Sequence, residues 1–529
     1  MKEKMNMKLK YIGYFALFLN FFPFLLGWSG ITGVSGLGCL IFGIVLIYDR
    51  KSGYFVLLFK KMLQPKIIFS LSAAISFIAL CVIAHKLWAL SYRIMDDISF
   101  ANGIVNYLKT GFYYNSILQL PALADHFTPN LLLLAPLFKL FPSAVWLDLA
   151  RWAALVWTGW LIWQLAQRHL NETLSLIPVL FWFAAETVIN LHLASFQPNL
   201  LAVPFFALAV LWIDRGKIWL AIVPLVFLLG FKENMAVYWI IAGAYLFLIK
   251  NRKILGIVFA CCGVLFGLTT VYFLVPFITD HKLIQLGVFG PFNYIPDKIK
   301  LIVLIVLSFG GVHLIHWRSL TLLLTSFGLI LVSQKTTMFG LVHHYQAMIL
   351  VTGAIAMISA LKEWDTSFRN RHPKFGAVAP AVFLWLLLTM NHKLPQNTIR
   401  MSHYNYQIER NEAGEFYFKR HRKREYAKYH EDIRYIRKRM KPDGRLYLES
   451  HLANNFVDYW DIRYFVSGDA VPITSILKDD SAYAAVFFGD HRDYDVPKAD
   501  HDNIIEQLKR QGYSLISKHF SVIAAVRER

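Results

Sequence analysis

Apolar runs separated by short polar or basic stretches fill the first three quarters of the chain. A helix needs about 20 apolar residues to cross about 30 Å of hydrocarbon. Runs of this kind lie at Tyr11–Trp28, Ile31–Tyr48, Ile67–Leu90, Ala144–Leu165, Leu174–Leu193, Leu200–Ile213, Ile218–Phe231, Met235–Ile249, Ile254–Ile278, Ile299–Leu314, Leu320–Val332, Leu341–Leu361 and Phe375–Met390. Several are short, and Asn130–Phe141 is shorter still; segments of such length are often tilted, broken or re-entrant. The pattern predicts an α-helical polytopic membrane protein with about 13 transmembrane helices. The first run follows Lys2, Lys4, Lys8 and Lys10, is long for a signal sequence, and leads straight into the second, so it reads as a retained span.

Loop charges predict the orientation, because basic residues collect on the cytoplasmic side. The N-terminus and the loop carrying Arg50, Lys51, Lys60, Lys61 and Lys66 then face the cytoplasm, and the third span delivers residues 91–129 to the outer face. Counted from the other end, the basic loops Lys250–Lys253 and Lys362–Lys374 are cytoplasmic, which puts Thr279–Asp297, Ser333–Gly340 and the C-terminal tail outside. The two counts agree if Asn130–Phe141 does not cross.

Three regions follow: residues 1–66, an N-terminal transmembrane hairpin with its basic loop; 67–392, a transmembrane core with the large outer loop 91–129; and 393–529, an extracytoplasmic tail. The tail changes character. A basic, Tyr-rich stretch (Lys419–Arg424) runs into a helical pattern ending at Arg439, then Arg445–Glu449, Tyr464–Val466 and Ala482–Phe488 read as short buried strands. A helix at Asn503–Arg510 and a closing pair near Ser514–Val526 complete a small α/β domain. Its first strand is followed by Ser450-His451 with no glycine-rich loop, so it carries no nucleotide-binding signature.

Composition excludes the competing classes. Of 529 residues 56% are hydrophobic and only 17% charged, and the charges concentrate after Lys393. Soluble domains run nearer ~25% charged, so an ordinary cytosolic enzyme, a disordered chain and a secreted disulfide scaffold are all ruled out. The net charge of +20 follows from basic helix ends rather than from a nucleic-acid partner, and none is expected. Cys39, Cys81, Cys261 and Cys262 sit inside apolar runs without metal-ligand spacing and read as small core residues.

Candidate chemistry begins in the outer loop. Asp96 and Asp97 close a span just outside the hydrocarbon; on a helix they point about 100° apart, so one can face a site while the other serves as an N-cap or first-turn acid. From Asp96 to Leu108 the pattern is amphipathic and predicts a helix lying in the interface plane. Glu233 lies at an outer boundary between two apolar spans with Lys232 as its local counter-ion, and Glu186 and His192 share another predicted helix. An acid at mid-bilayer costs about 2.5–3.5 kcal/mol on insertion scales, so such residues usually face a cavity or a partner. His343-His344-Tyr345 opens a further span. Asp96, Asp125, His126, Glu233 and His344 all map to one outer boundary, which predicts a pocket for a polar headgroup and its lipid chain.

The string from Met95-Asp96 through Asn106, then Gly111-Phe112-Tyr113-Tyr114, then Asp125-His126-Phe127-Thr128-Pro129 and Leu133-Leu134-Ala135-Pro136-Leu137, resembles the membrane proteins of the domain-of-unknown-function 2079 family, itself similar to a branch of the GT-C superfamily of polytopic glycosyltransferases. Lys232-Glu233-Asn234 resembles that family's Lys/Arg-Glu-Asp element and His344-Tyr345 its His-Tyr element. The chain departs from the pattern at Ala101, Asn102 and Asn234, where the family carries an acid, a glutamine and an acid.

The resemblance implies a GT-C-type inverting glycosyltransferase that moves a sugar from a polyprenyl-phosphate donor to a glycan, lipid or protein acceptor of the envelope at the outer face. It implies Asp96 as the base, with Asp97 as the local alternative, and Arg93, Asn102, Asp125, His126, Lys232, Glu233, His344 and Tyr345 around the substrate. Arg93, Lys232 or a tail cation would hold the phosphate and His126 or His344 would donate to it. A divalent metal stays open, with no ligand assigned. Two other classes are weighed against this one. A flippase of lipid-linked intermediates also needs polar groups in the bilayer, but transporters usually show repeats and midplane sites, and no repeat is found. A non-catalytic envelope scaffold would tolerate Asp96→Asn.

Overall fold

The computed structural model describes residues 97–184, 196–281, 292–333 and 346–368 of the core, together with scattered positions between 70 and 87 and at 188 and 191. In the tail it describes 408–410, 416–418, 423–440, 444–459, 461–465, 482–488, 505–519 and 522–527. The first two expected spans, the last one, Cys39, and the site candidates Arg93, Asp96, Glu186, His192, His344 and Tyr345 lie outside the described residues.

The core opens with α1 (Ser99–Thr110), closed by Gly111 in the left-handed region at φ 75°, and with a short hairpin of β1 (Tyr114–Asn115) and β2 (Leu120–Pro121). One helical turn, Ala122–Asp125, leads to a 3-10 segment, Pro129–Leu134, and α2 (Ala135–Leu140). Next come α3 (Val145–Gln167), α4 (Glu172–Ala184), α5 (Asn199–Asp214), α6 (Ile218–Leu229), α7 (Ala236–Leu248) and α8, a continuous helix over Lys253–Thr279. Beyond them are α9 (Ile295–Ser308), α10 (Trp317–Thr325), α11 (Gly328–Val332) and α12 (Ala347–Glu363).

The helices have two recognisable ends. At one, the N–H of Ala144 donates to Asn454 Oδ1 of the tail at 2.9 Å. At the other, Asp214 at the end of α5 gathers Arg168 (2.7 Å), His169 (2.7 Å) and Lys250 (3.1 Å), joining the ends of α3, α5 and α7. The 23 residues of α3 between these points rise about 35 Å, enough to span a bilayer. By contrast Pro129–Leu140 rises only about 21 Å. Its start is tied to the tail-facing end of α6, where Asn130 N–H donates to the Gly230 carbonyl (2.9 Å) and Asn130 Nδ2 to that of Phe227 (2.5 Å). Its far end leads to Ala144, again on the tail side, so both ends of this segment lie at the tail-facing end of the bundle.

Exposure separates the helix that faces outward from the one that forms the core. Only 22% of the apolar window of α8 is buried, against 83% for Ala347–Ser367. Ile254, Leu265, Phe273 and Phe277 stand exposed along α8, a surface that water would not tolerate and lipid does. Cys261 and Cys262 lie on this helix and are exposed, as is Cys81. The expectation that they are core residues is corrected: their apolar surroundings in sequence reflect a helix facing outward, not protein packing. On its packed side α8 meets α7 backbone to backbone, since a Cβ on Gly256 would lie 2.7 Å from the carbonyl oxygen of Gly243. Close approach through glycine is the usual way for helices to associate in lipid.

The tail holds a five-stranded sheet in the order β6-β5-β7-β9-β8, after a separate pair β3 (Ile408–Arg410) and β4 (Phe416–Phe418). Within it β5 (Arg445–Glu449) runs parallel to β6 (Asp461–Phe465) and to β7 (Ala482–Phe488), whereas β9 (Val522–Arg527) is antiparallel to β7 and to β8 (Tyr513–Ile516). The basic helix α13 (Lys423–Arg437) packs on this sheet; its buried Asp432 accepts the backbone N–H groups of Lys518, His519 and Val522 at 2.7–3.0 Å.

Candidate functional site

The helix expected over Asp96–Leu108 is covered by protein along most of its length. Every residue of α1 from Ser99 to Asn106 is buried between the core and the tail. Asn102 explains why. With 0% exposure, its Oδ1 accepts from Asn106 Nδ2 (3.1 Å), Ser116 N–H (3.0 Å) and Ser116 Oγ (2.9 Å), while its Nδ2 donates to the Tyr459 carbonyl of the tail (3.4 Å). Ser116 Oγ in turn accepts the N–H of Ile462 on β6 at 3.0 Å. Lys109 donates to the Asp458 carbonyl at the far end of α1. The polar stripe that suggested contact with water or headgroups is met instead by the neighbouring hairpin and, at Asn102 and Lys109, by the tail domain.

Asp97 is likewise not an N-cap. It is 2% exposed and its Oδ1 accepts the N–H of Phe196 at 2.7 Å, reaching to the loop before α5. Gln197 follows in that loop, and its Oε1 accepts from Lys232 Nζ at 3.5 Å. Lys232 is only 5% exposed. The local counter-ion expected for Glu233 still acts on its charge, but the closest side-chain contacts of the two residues lie elsewhere. Extended backbone at Lys232 (φ −169°, ψ 150°) sends neighbouring side chains to opposite sides, so Lys232 meets Gln197 while Glu233 turns to His126.

His126 Nδ1 lies 3.2 Å from Glu233 Oε1, and Glu233 Oε2 accepts the N–H of Phe127 at 3.1 Å. Glu233 sits in the 3-10 turn between α6 and α7, outside both helices. Burial alone would push its carboxyl up, but the His126 ring, Lys232 and a backbone N–H outweigh it and hold the group at about 2. Phe100 of α1 stacks on the His126 ring at 6.3 Å and meets Phe196 edge-on at 5.8 Å. The contacts close into a ring: Asp97 to Phe196, Gln197 to Lys232, Glu233 to His126, and His126 through Phe100 back to α1. Four chain segments distant in sequence are joined at the tail-facing boundary.

Around this ring, Thr128 Oγ1 lies 3.2 Å from the Tyr113 hydroxyl, which burial pushes up to about 12. Phe127 packs against Val275 near the end of α8. Asp125 is half-buried and forms no hydrogen bond or ion pair with a described residue. Phe196, Gln197 and Phe100 carry no sequence signature of a site; a backbone donor, an amide and an aromatic ring gain meaning only once the loop before α5 is brought to α1. Among the described residues no group of three or more His, Cys, Asp or Glu converges as a metal site.

Residues 86–293, which contain the whole ring, match the family described as "Predicted membrane protein (DUF2079)", and the chain resembles that family on the blocks at 95–137 and 232–234. Among solved structures, the chain is similar to ArnT from Cupriavidus metallidurans bound to undecaprenyl phosphate, with 12% identity, a TM-score of 0.50, and coverage of 86% of this chain and 97% of that one. It is also similar to the same protein in the apo state, at 12% identity, a TM-score of 0.47 and the same coverage. No curated protein matches the chain. The fold is therefore similar to that of ArnT, and the protein is a membrane protein.

Proposed function

We propose that the protein is a membrane glycosyltransferase that moves a sugar from a polyprenyl-phosphate donor to an envelope acceptor on the outer face of the membrane. The observation that carries this reading is Lys232, a cation 5% exposed, beside the His126–Glu233 pair at the tail-facing boundary. Glu233 is one counter-charge for this buried ammonium, and a phosphate oxygen as a further counter-charge gains far more in a low-dielectric site than it would in water. The likeness of fold to a protein bound to undecaprenyl phosphate supports a lipid phosphate as that counter-charge. The basic loop Lys250–Lys253 lies at the end of the helices away from the tail, which supports an extracytoplasmic tail.

On this reading Lys232 and Arg93 hold the donor phosphate, and Asp96 takes the proton of the acceptor hydroxyl as the sugar inverts at its anomeric carbon. Asp97, one residue on, ties that loop to Phe196. Asn102 acts from behind, by keeping α1 against the tail, while Asp125, His344 and Tyr345 are substrate-facing candidates. The test is a comparison of lipid-linked sugars and glycans in cells with and without the gene. Accumulation of one polyprenyl-phosphate sugar on deletion is expected and names the donor. With that donor, Lys232→Met in the full-length protein lowers transfer about 10²-fold or more, and Asp96→Asn lowers it about 10²–10⁴-fold. An unchanged lipid-linked profile, or full complementation by Asp96→Asn, refutes the assignment.

A further inference from the structure

Asp214 closes α5 at the end of the helices away from the tail, and four side chains converge on it. Its Oδ2 accepts Arg168 Nε at 2.7 Å; its Oδ1 accepts Lys250 Nζ (3.1 Å) and the Tyr245 hydroxyl (3.3 Å) and lies 2.7 Å from His169 Nε2. The carboxylate is sealed, with 1% of its side chain exposed, whereas Arg168 and Lys250 remain 40% and 29% exposed. It therefore orients these two cations without using them up. Arg168 spends only Nε on it, which leaves both terminal nitrogens of the guanidinium without a hydrogen-bond partner among the described residues. Lys250 bonds the side chain and the carbonyl oxygen of Asp214 and keeps the third of its ammonium donors.

The surrounding charge is one-sided. Residues 168–171, 215–217 and 249–252 connect α3 to α4, α5 to α6 and α7 to α8; they carry Arg168, Arg215, Lys217, Lys250 and Arg252 and no acid, and Lys253 follows as the first residue of α8. Arg215, Lys217, Arg252 and Lys253 are exposed. Among the described residues the acids at this end are Asp214, Glu172 at the start of α4, and Glu363 and Asp365 at and just beyond the end of α12, where Asp365 accepts Asn171 Nδ2 at 3.4 Å. Directly past the cations the surface turns apolar: Trp219 stands exposed two residues after Lys217, and Phe247, Ile254, Ile257 and Val258 stand exposed where α7 and α8 begin their contact. A cationic rim over a bare apolar face fits an amphiphile with an anionic head. Basic surfaces between transmembrane helices bind acidic phospholipids in this way, and the arginine fork matches phosphate geometry.

We propose that the cationic surface organised by Asp214 at the ends of α3, α5 and α7 binds the headgroup of an acidic phospholipid, whose acyl chains lie on the apolar start of α8. Arg168 and Lys250 meet the phosphate oxygens. Asp214 is a positioning residue and does not touch the lipid, while Arg215, Lys217, Arg252 and Lys253 add an attractive field around it. This site lies at the opposite end of the bundle from the His126–Glu233 ring and does not depend on the glycosyltransferase reading.

The experiment measures, by native mass spectrometry of the full-length protein in detergent, the Kd of the tightest-bound phosphatidylglycerol and that of phosphatidylcholine with the same acyl chains. Wild type is expected to prefer phosphatidylglycerol about ten- to hundredfold, the worth of one charge-assisted hydrogen bond. The double variant Arg168→Gln, Lys250→Gln abolishes that preference. Lys139→Gln, at an exposed cation of α2 on the tail side, removes a charge elsewhere and leaves it unchanged. Arg168→Lys keeps the charge and the ion pair with Asp214 but lacks the fork, so it loses part of the preference; it also keeps the test valid if the double variant folds poorly. Inorganic phosphate at the same concentration does not displace the lipid, because it brings no chain to the apolar face. A preference that is absent from wild type, survives in the double variant, or falls equally in Lys139→Gln overturns the site. Full preference in Arg168→Lys overturns the guanidinium contact, and displacement by inorganic phosphate overturns the lipid as the occupant.

Discussion

Replacing Asn102 with alanine tests whether the tail is held onto α1 by a buried polar network. The substitution removes three accepted hydrogen bonds and one donated bond at a position with no exposure. The losses are unequal. Asn106 Nδ2 keeps the Tyr114 carbonyl at 2.9 Å, whereas the buried Ser116 N–H loses its Asn102 acceptor. An orphaned buried donor costs about 1–3 kcal/mol and an ordinary lost bond about 0.5–1.5 kcal/mol. Together they weaken docking by about 2–4 kcal/mol, which raises the opening equilibrium between tail and core about thirty- to a thousandfold. Hydrogen exchange of the full-length protein reads this directly, because Ile462 N–H donates to Ser116 Oγ across the interface. Peptides containing Ser116 and Ile462 should lose protection by that factor while the buried core helix α12 does not. Unchanged protection at both amides would refute the network as the latch.

Two further outcomes follow from the same geometry. The Glu233 carboxyl sits at about 2 in the folded protein against an ordinary 4.5, a gap worth about 3 kcal/mol. Because the folded value is the lower one, this stabilisation is present above about pH 4.5 and disappears as pH falls toward about 2; melting temperatures in detergent should show that acid-side loss in wild type and not in Glu233→Gln. At the α7–α8 contact, Gly256→Ala places a Cβ 2.7 Å from the Gly243 carbonyl and 2.8 Å from Phe247 Cβ, and should lower stability by about 1–3 kcal/mol. Gly328→Ala, with nothing within 4 Å, should leave the melting temperature where it is.

The helices were legible because each has to bury or satisfy its own backbone in hydrocarbon, a constraint written into local composition. The expected runs Leu200–Ile213, Ile218–Phe231 and Met235–Ile249 correspond to helices Asn199–Asp214, Ile218–Leu229 and Ala236–Leu248. Arg445–Glu449 and Ala482–Phe488 are strands at those bounds. Two readings failed for one reason. The polar face of α1 and the apolar setting of Cys261 and Cys262 say only that a residue avoids or prefers water; they do not say whether protein, lipid or solvent lies opposite. Nor does adjacency predict hydrogen-bond partners: Lys232 acts on the Glu233 charge, yet extended backbone sends the two side chains to Gln197 and His126.

Sequence alone determined that this chain is a bundle of apolar helices with an α/β tail, and that Asp97, His126, Lys232 and Glu233 stand where ionised groups need partners. Which partners they take was decided only by tertiary structure. Local hydropathy is a sum over neighbours in the chain, whereas the ring from Asp97 through Phe196, Gln197, Lys232, Glu233 and His126 joins residues about a hundred positions apart. Packing of α1 under the tail and of the loop before α5 against it brings those groups within hydrogen-bond reach, and a backbone N–H such as that of Phe196 has no identity in sequence until the fold aims it.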